Sequence, residues 1–365
     1  MNYSAPIAWP FSVIPEAGDA TLLVVGDTNV LGRDDAATAF ARVQATFDSA
    51  DGVIGQMEGM LTTPSEDPEA PDIPFKSWWR HSEMHVAKGL KTAGFSAVAC
   101  ASNVAYPGQA CVDTAVACRN AGLPMAGVGE NEAAARAPAL FLLGSTKIGL
   151  LSYTSVFHPN IMPAGPRRPG CATIRAHTGW TPGRRVLEMP GDKPEVSTWV
   201  DTDELMQFRS DVRAARAQCD TLIVSCHWGI SSSPETQQYQ REIARAAANE
   251  GVDLIFGHHP HVIQGVEFIG DMPVFYSLGN FAFDGQKMRN RHLEGLVLRL
   301  LVRSGRIADI AIVPARRGEE NLVELLDPSV GYGASVMAHL SELCANFGTR
   351  VQTRGADAAV TGALT

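Results

Sequence analysis

The sequence predicts an α/β fold, and three observations carry that expectation. Short apolar runs alternate with segments of helical period over most of the 365 residues, the trace that strands and helices of an α/β sheet leave in a chain. Several of those runs end in a carboxylate, an amide or a histidine, and open α/β sheets place their sites at the carboxyl ends of the strands. A hydrophobic content of 45% beside 19% charged residues is that of a soluble globular chain.

Residues 21–26 read as a buried strand, 35–47 as a helix and 51–57 as the next strand. Residues 83–93 are helical and 96–100 form a third strand. Residues 109–121 form a helix that stops at Gly122, a residue suited to a left-handed C-cap. Residues 139–143 and 147–153 flank Gly144-Ser145 and read as a hairpin. From 154 to 202 the chain is rich in Pro, Gly and Arg and nearly aperiodic. So long a stretch without elements is usually functional or disordered; an active-site flap carrying His158, Arg167, Arg168, Arg175 and Trp180 is expected. Helix, strand, helix and strand return at 203–217, 221–226, 235–249 and 252–256. Residues 262–268 and 272–276 flank a Gly270-Asp271 turn, and 295–302 and 307–313 form a last hairpin around Ser304-Gly305. The tail from Gly355 is expected to fray.

A formal charge of −9 and a pI near 5.6 argue against nucleic acid as a partner. Seven cysteines, an odd number with no CxxC pair, suit reduced, buried thiols rather than a thiolate zinc site. Residues 1–16 lack the layout of a signal peptide, and no run of about eighteen apolar residues predicts a membrane span. A cytoplasmic protein is expected.

Gly257-His258-His259-Pro260-His261 holds three of the ten histidines and follows the apolar run Val252-Asp253-Leu254-Ile255-Phe256. On a turn, imidazoles two residues apart can point at one centre, and neutral imidazole is the commonest metal ligand. A second run, Leu222-Ile223-Val224-Ser225-Cys226, ends in His227-Trp228-Gly229. Upstream, three strand ends carry Asp27, Glu58 and Asn103. As bland readings, Asp27 is a helix N-cap, Glu58 an exposed loop acid and Asn103 a turn residue. Taken in order, Asp27, Glu58, Asn103, His227, His259 and His261 read as a metal-dependent hydrolytic site. Mixed oxygen and nitrogen donors suit Zn, Mn or Fe better than Ca or Mg.

This ordered set resembles the CapA family of capsule and poly-γ-glutamate synthesis proteins, which are similar in fold to calcineurin-like metallophosphatases. The matching segments are Gly26-Asp27-Thr28-Asn29-Val30-Leu31-Gly32-Arg33, Met57-Glu58-Gly59, Ser102-Asn103 and His227-Trp228-Gly229. They continue in Gly251-Val252-Asp253-Leu254-Ile255-Phe256-Gly257-His258-His259-Pro260-His261-Val262 and Val274-Phe275-Tyr276-Ser277-Leu278-Gly279-Asn280-Phe281. The resemblance implies a four-layer αββα sandwich of metallophosphatase type at 20–315, including the 154–202 flap. Residues 1–19 and 316–365 are then extensions. It also implies that Asp27, Glu58, Asn103, His227, His259 and His261 hold two divalent ions (Mn, Zn or Fe), with His258 a neighbour or an alternate ligand. Val104 stands where the family has a histidine, the proton donor to a leaving oxygen in metallophosphatases. Valine cannot donate a proton. Gln56-Met57-Glu58 replaces Asn-Leu-Glu and keeps the acid. Family members that work in polymer synthesis are often anchored or exported, and this chain shows neither signal.

The expected activity is therefore that of a soluble metal-dependent hydrolase. Its metal-bound hydroxide would attack an amide-type bond (lactam, imide or γ-glutamyl) of a small anionic substrate. His81, His158, His258 and Glu235 are candidates to protonate the leaving nitrogen. Trp78, Arg167, Lys287, Arg289 and Arg291 are candidates to line the pocket or clamp a substrate carboxylate. The alternatives are a phosphoesterase with another proton donor, and a non-hydrolytic accessory protein of capsule or poly-γ-glutamate synthesis.

Overall fold

The computed structural model describes residues 13–65, 67, 70–76, 78–354 and 357–361, leaving aside the side chains of Lys287, Glu319 and Asp357. Two β-sheets lie face to face. In the larger, Ala20–Asn29 is central, with Gly52–Met57, Phe95–Ala99 and Met125–Ala126 following it in parallel. On its other side it pairs in parallel with Asn280–Phe283 and antiparallel with Glu294–Arg303. Arg306–Arg317, Asp357–Thr361 and Arg350–Arg354 continue that edge. In the smaller sheet, Thr146–Thr154, Thr221–His227, Leu254–His258 and Met272–Phe275 run parallel, flanked by Ala139–Leu143 and Val266–Ile269.

Strands covered on both faces must be apolar on both, and the central strands are. Leu22 and Val24 point inward and pack with Ile54, Ile223, Leu254 and Phe256 between the sheets. Leu23 and Val25 point outward and pack with Phe40, Phe47 and Leu90 under the first helical layer. On the far side, Leu222, Val224 and Ile255 pack against Phe208, Val212 and Ile243 of the helices Thr202–Arg216 and Gln238–Asn249. The result is helix, sheet, sheet, helix, the expected four-layer sandwich. All seven cysteines are free thiols. Among the described residues no helix is long and apolar enough to cross a membrane.

Four segments differ from the sequence reading. The helix expected at 35–47 is a 3-10 turn, Ala36–Phe40, followed by a short helix, Gln44–Asp48. The apolar spacing survives, since Ala36, Ala39, Phe40, Val43 and Phe47 are all buried, but two short turns deliver it. Within 154–202, Ala176–Thr181 and Glu195–Val200 form a hairpin. It rests on the Gln238–Asn249 helix through Thr198 N–H to Gln238 Oε1 at 3.0 Å and Val200 N–H to Glu242 Oε2 at 2.9 Å. Residues 331–345, where no helix was expected, are helical and send Val336, Met337, Leu340 and Cys344 into the inter-sheet core. The tail does not fray over 357–361, which pair with Arg350–Arg354 and Arg306–Arg317. Of the expected N-terminal extension, residues 1–12 lie outside the described residues; Asp19 is tied to Arg303 at 2.7 Å.

Two glycines bring backbone unusually close just before the candidate ligands. A Cβ on Gly26 would lie 2.3 Å from the Gly279 carbonyl oxygen. One on Gly257 would lie 2.0 Å from the Tyr276 carbonyl oxygen and 2.4 Å from Trp228 Nε1. Gly257→Ala forces that packing apart, and overpacking of this kind costs about 1–3 kcal/mol. We expect a lower urea midpoint with an unchanged slope; an unchanged midpoint would mean that the close approach is not structural.

Candidate metal centre

The carboxyl ends of the parallel strands in both sheets open on one common edge. Asp27 lies near the end of Ala20–Asn29, where the register with both neighbouring strands slips; such an irregularity re-aims a side chain. Its N–H donates to the Gly279 carbonyl at 3.0 Å. Glu58 follows Gly52–Met57 directly and is pinned through its N–H to Thr28 O at 2.8 Å. Asn103 lies in the turn after Phe95–Ala99. His227 and His258 are register partners at the last positions of adjacent strands. His259 and His261 follow in a turn with φ of 90° and 60°. Left-handed backbone at a non-glycine residue costs on the order of 1–3 kcal/mol and clusters at functional sites.

Asp27, Glu58 and His261 bring one donor atom each within 4.8 Å of one another. His261 Nδ1 lies 3.9 Å from Asp27 Oδ2 and 3.7 Å from Glu58 Oε2. Beside them, His259 lies tilted against His227 with ring centres 4.9 Å apart, and Asn103 Nδ2 lies 3.0 Å from His259 Nδ1. Asp27 joins the halves, accepting the His259 N–H at 3.1 Å. His258 and His259 therefore part company. His259 keeps company with Asn103 and His227, whereas the fully buried His258 packs edge-on to Phe256 of the inter-sheet core and places Nδ1 3.7 Å from Asp27 Oδ1.

Electrostatics follow from burial. Asp27 is pushed well above the usual carboxylate range by desolvation and then by the Glu58 charge, against the pull of the His259 N–H. Desolvation and neighbouring imidazoles hold His227 and His259 well below the ordinary histidine value and His258 at about 3. Neutral imidazole is the form that ligates. Asp27 Oδ1, Glu58 Oε2, Asn103 Oδ1 and both ring nitrogens of His227 and His258 are buried without a hydrogen-bond partner among the described residues. Each such atom costs about 1–3 kcal/mol. Together they would rival the roughly 5–15 kcal/mol that holds a whole domain. Two acids that repel one another, neutral imidazoles and unpartnered donors are the chemistry of a divalent-cation site, so the residues present fit one.

Some expected residues are placed elsewhere. His81 is buried with both nitrogens engaged, Nδ1 by Trp79 Nε1–H at 3.3 Å and Nε2 by the Tyr106 carbonyl at 2.6 Å; it has no free nitrogen for a leaving group. His258 faces the core, and burial disfavours its imidazolium form, the one that would act as the acid. Glu235 is exposed beyond Thr221–His227, and its carboxylate makes no hydrogen bond or ion pair with the cluster. Arg167 is exposed, Arg168 donates to Pro163 O, and Arg175 pairs with Glu204. Arg289 and Arg291 are exposed on the loop after Asn280–Phe283. Buried Arg317 sets that loop by donating to the carbonyls of Phe283, Met288, Arg291 and His292. The Lys287 side chain lies outside the described residues. Trp78 is 39% exposed and packs against Trp79. Val104 is fully buried in a small apolar cluster with Ile73, Trp79 and Phe283. His158 is exposed, its ring 5.5 Å from that of Phe75.

Three residues escaped the sequence reading. Asn280 places Oδ1 3.0 Å from His261 Nδ1 and donates to His292 O; a buried amide inside the apolar run 274–283 was the available signal. His292 stacks on His261 with centres 6.3 Å apart. Lys76 acts electrostatically on Glu58, His227 and His259. Burial lowers its ammonium pKa, and Glu58 opposes the shift. It sits in an aperiodic segment that offers no signal.

The model of the family described as bacterial capsule synthesis protein PGA_cap matches residues 17–285. PGA biosynthesis protein CapA of Bacillus subtilis is 40% identical over 80 residues, 22% of this chain and 21% of that one. Capsule biosynthesis protein CapA of Bacillus anthracis is 24% identical over 303 residues, 80% of this chain and 66% of that one. A probable polyglutamine synthesis accessory protein of Mycobacterium tuberculosis (strain H37Rv) is 26% identical over 255 residues, 67% of this chain and 60% of that one. The chain thus spans less than two thirds of each of these relatives. Among solved structures, a phosphatase from Mycoplasma pneumoniae aligns with a TM-score of 0.45 and 14% identity, over 81% of this chain and 93% of that one.

Loading with a divalent ion stabilises a chain by about 2.7 kcal/mol at a free concentration near 100 times Kd. We expect EDTA to lower the thermal midpoint and Mn or Zn to restore it, with Asp27→Asn and Glu58→Gln abolishing the response. A midpoint indifferent to both treatments would refute the centre.

Proposed function

We propose, from the premise that this chain belongs to the PGA_cap family of bacterial capsule synthesis proteins, that it is a metal-dependent hydrolase of an amide-type bond. The substrate is a small anion carrying a lactam, an imide or a γ-glutamyl linkage. One observation carries the reading: a buried, cation-seeking donor set stands beside an apolar plug at Val104.

Divalent ions bound in such a set lower the pKa of water and polarise a scissile carbonyl or phosphoryl oxygen. Glu58 and His261 would hold one side, Asn103, His227 and His259 the other, and Asp27 would contact both. The His259 N–H fixes Asp27, and Asn280 fixes the ring of His261. Val104, Ile73, Trp79 and Phe283 exclude water beside Asn103 and offer no proton there. An alkoxide leaves badly from phosphorus without a proton donor, a deficit worth about 10²–10⁴ in rate. An imide nitrogen delocalises its charge onto the second carbonyl and tolerates the missing acid, whereas a lactam or γ-glutamyl nitrogen would have to take its proton from water or from exposed His158. Of the four acids expected from sequence, His158 is exposed and touches the loop that carries Lys76.

A second reading, an accessory role without turnover, draws support from the Mycobacterium tuberculosis relative, a probable polyglutamine synthesis accessory protein. The two separate in one experiment. Protein loaded with Mn or Zn is offered cyclic imides, lactams, γ-glutamyl amides and p-nitrophenyl phosphate esters. We expect turnover of an amide-type substrate that EDTA abolishes, with phosphate esters slower by about 10²-fold or more. Turnover of phosphate esters alone removes the amide reading, and metal-free protein that turns over nothing favours the accessory role. Val104→His should raise phosphodiester turnover by about tenfold or more; no gain in a folded variant would mean that the plug does not separate the two chemistries.

A further inference from the structure

Between the paired strands Leu61–Thr62 and Ser82–Glu83 the described residues are cross-tied into an arch. Arg80 donates to the carbonyls of Ser65, Asp67 and Ala70 at 2.7–2.8 Å. Asp72 accepts the N–H groups of Ser65 and His81 at 2.9 and 2.7 Å. Ile73 and Trp79 are buried against Val104 and Phe283, and Phe283 lies 5.6 Å from the ring of His261. The arch therefore reaches the candidate metal centre through Phe283. Its crest is Phe75-Lys76. Phe75, 45% exposed, packs on Tyr106 and His158 at 5.6 and 5.5 Å. Lys76 is half-buried, its Nζ 5.9 Å from the Trp79 ring centre. Among the described residues that ammonium has no carboxylate within ion-pair distance, yet it lies in the field of Glu58, His227 and His259.

A cation held beside a centre that itself collects cations is repelled when the centre is loaded. Asp27 and Glu58 supply two negative charges, and a carboxylate brought by the ligand would add another between the centre and the ammonium. We propose that Lys76 is the contact for a carboxylate of the substrate, set beside the scissile bond and bridging the ammonium and the metal centre, with Phe75 against the substrate's carbon chain. This rests on the hydrolase reading above and narrows it to acids with a free carboxylate. Lys76 is a binding and specificity residue, and the geometry asks no proton of it.

The test uses the full chain loaded with Mn. Glutarate, a glutaric monoamide and its methyl ester, and inorganic phosphate are titrated by calorimetry against wild type, Lys76→Met and Lys76→Arg, with metal content measured on each sample. Loss of a charge-assisted contact weakens binding by about tenfold or more. We expect Lys76→Met to lose that factor for glutarate and the monoamide and to bind the ester as wild type does. Lys76→Arg should keep most of the affinity, and metal content should stay unchanged. In turnover of the monoamide, KM rises more than kcat falls. Equal weakening of acid and ester, or unchanged glutarate binding at full metal content, overturns the assignment and leaves the hydrolase reading standing. Weakening for phosphate alone transfers the contact to a phosphoryl group and overturns the carboxylate. A wild-type chain that takes up no metal removes the hydrolase reading, and this one with it.

Discussion

Burying Asp27 and Glu58 side by side at the meeting edge of two sheets sets a charge problem that the rest of the site answers. Like charges at short range in a poorly polarisable interior cannot both stay ionised without a positive partner. Three of the imidazoles around them cannot be that partner, because desolvation keeps His227, His258 and His259 neutral. A metal ion would meet the demand from both directions, taking charge from the acids and lone pairs from the rings. Folding and cation uptake would then be coupled.

The backbone does much of the placing. Parallel strands deliver their ends to one side, so residues far apart in sequence arrive together, and only short turns are needed to add Asn103, His259 and His261. Gly26 and Gly257 let neighbouring carbonyls approach where a methyl group could not fit. Trp228 locks the second approach through Nε1–H to Tyr276 O at 2.8 Å. Arg317 does for the 284–292 loop what the sheets do for the acids, gathering carbonyls around one buried cation. Its guanidinium is pulled down to about 10 by burial, a sign of how enclosed that cage is.

The core of the site was legible because its signals are local. Asp27, Glu58, His227 and the histidine cluster each follow an apolar run, and the sheet rule says where such ends meet. The distinction between His258 and His259 was not, since it depends on which side of the last strand residue faces the core. His81 looked available because nothing in Trp78-Trp79-Arg80-His81 foretells that Trp79 and Tyr106 will take both its nitrogens. Lys76 was invisible for a related reason: an arch held by Arg80 and Asp72 has no periodicity. The hairpin within 154–202 was missed because Trp180, Val196 and Trp199 are exposed, so the burial alternation that marks most strands is blurred. The 331–345 helix begins Gly331-Tyr332-Gly333, which reads as a turn.

The turn that carries His259 and His261 is held in backbone geometry that glycine adopts freely and histidine does not. Stability and chemistry pull in opposite directions there. Glycine at either position would relieve that strain and keep the sandwich, and it would remove one imidazole from the candidate site.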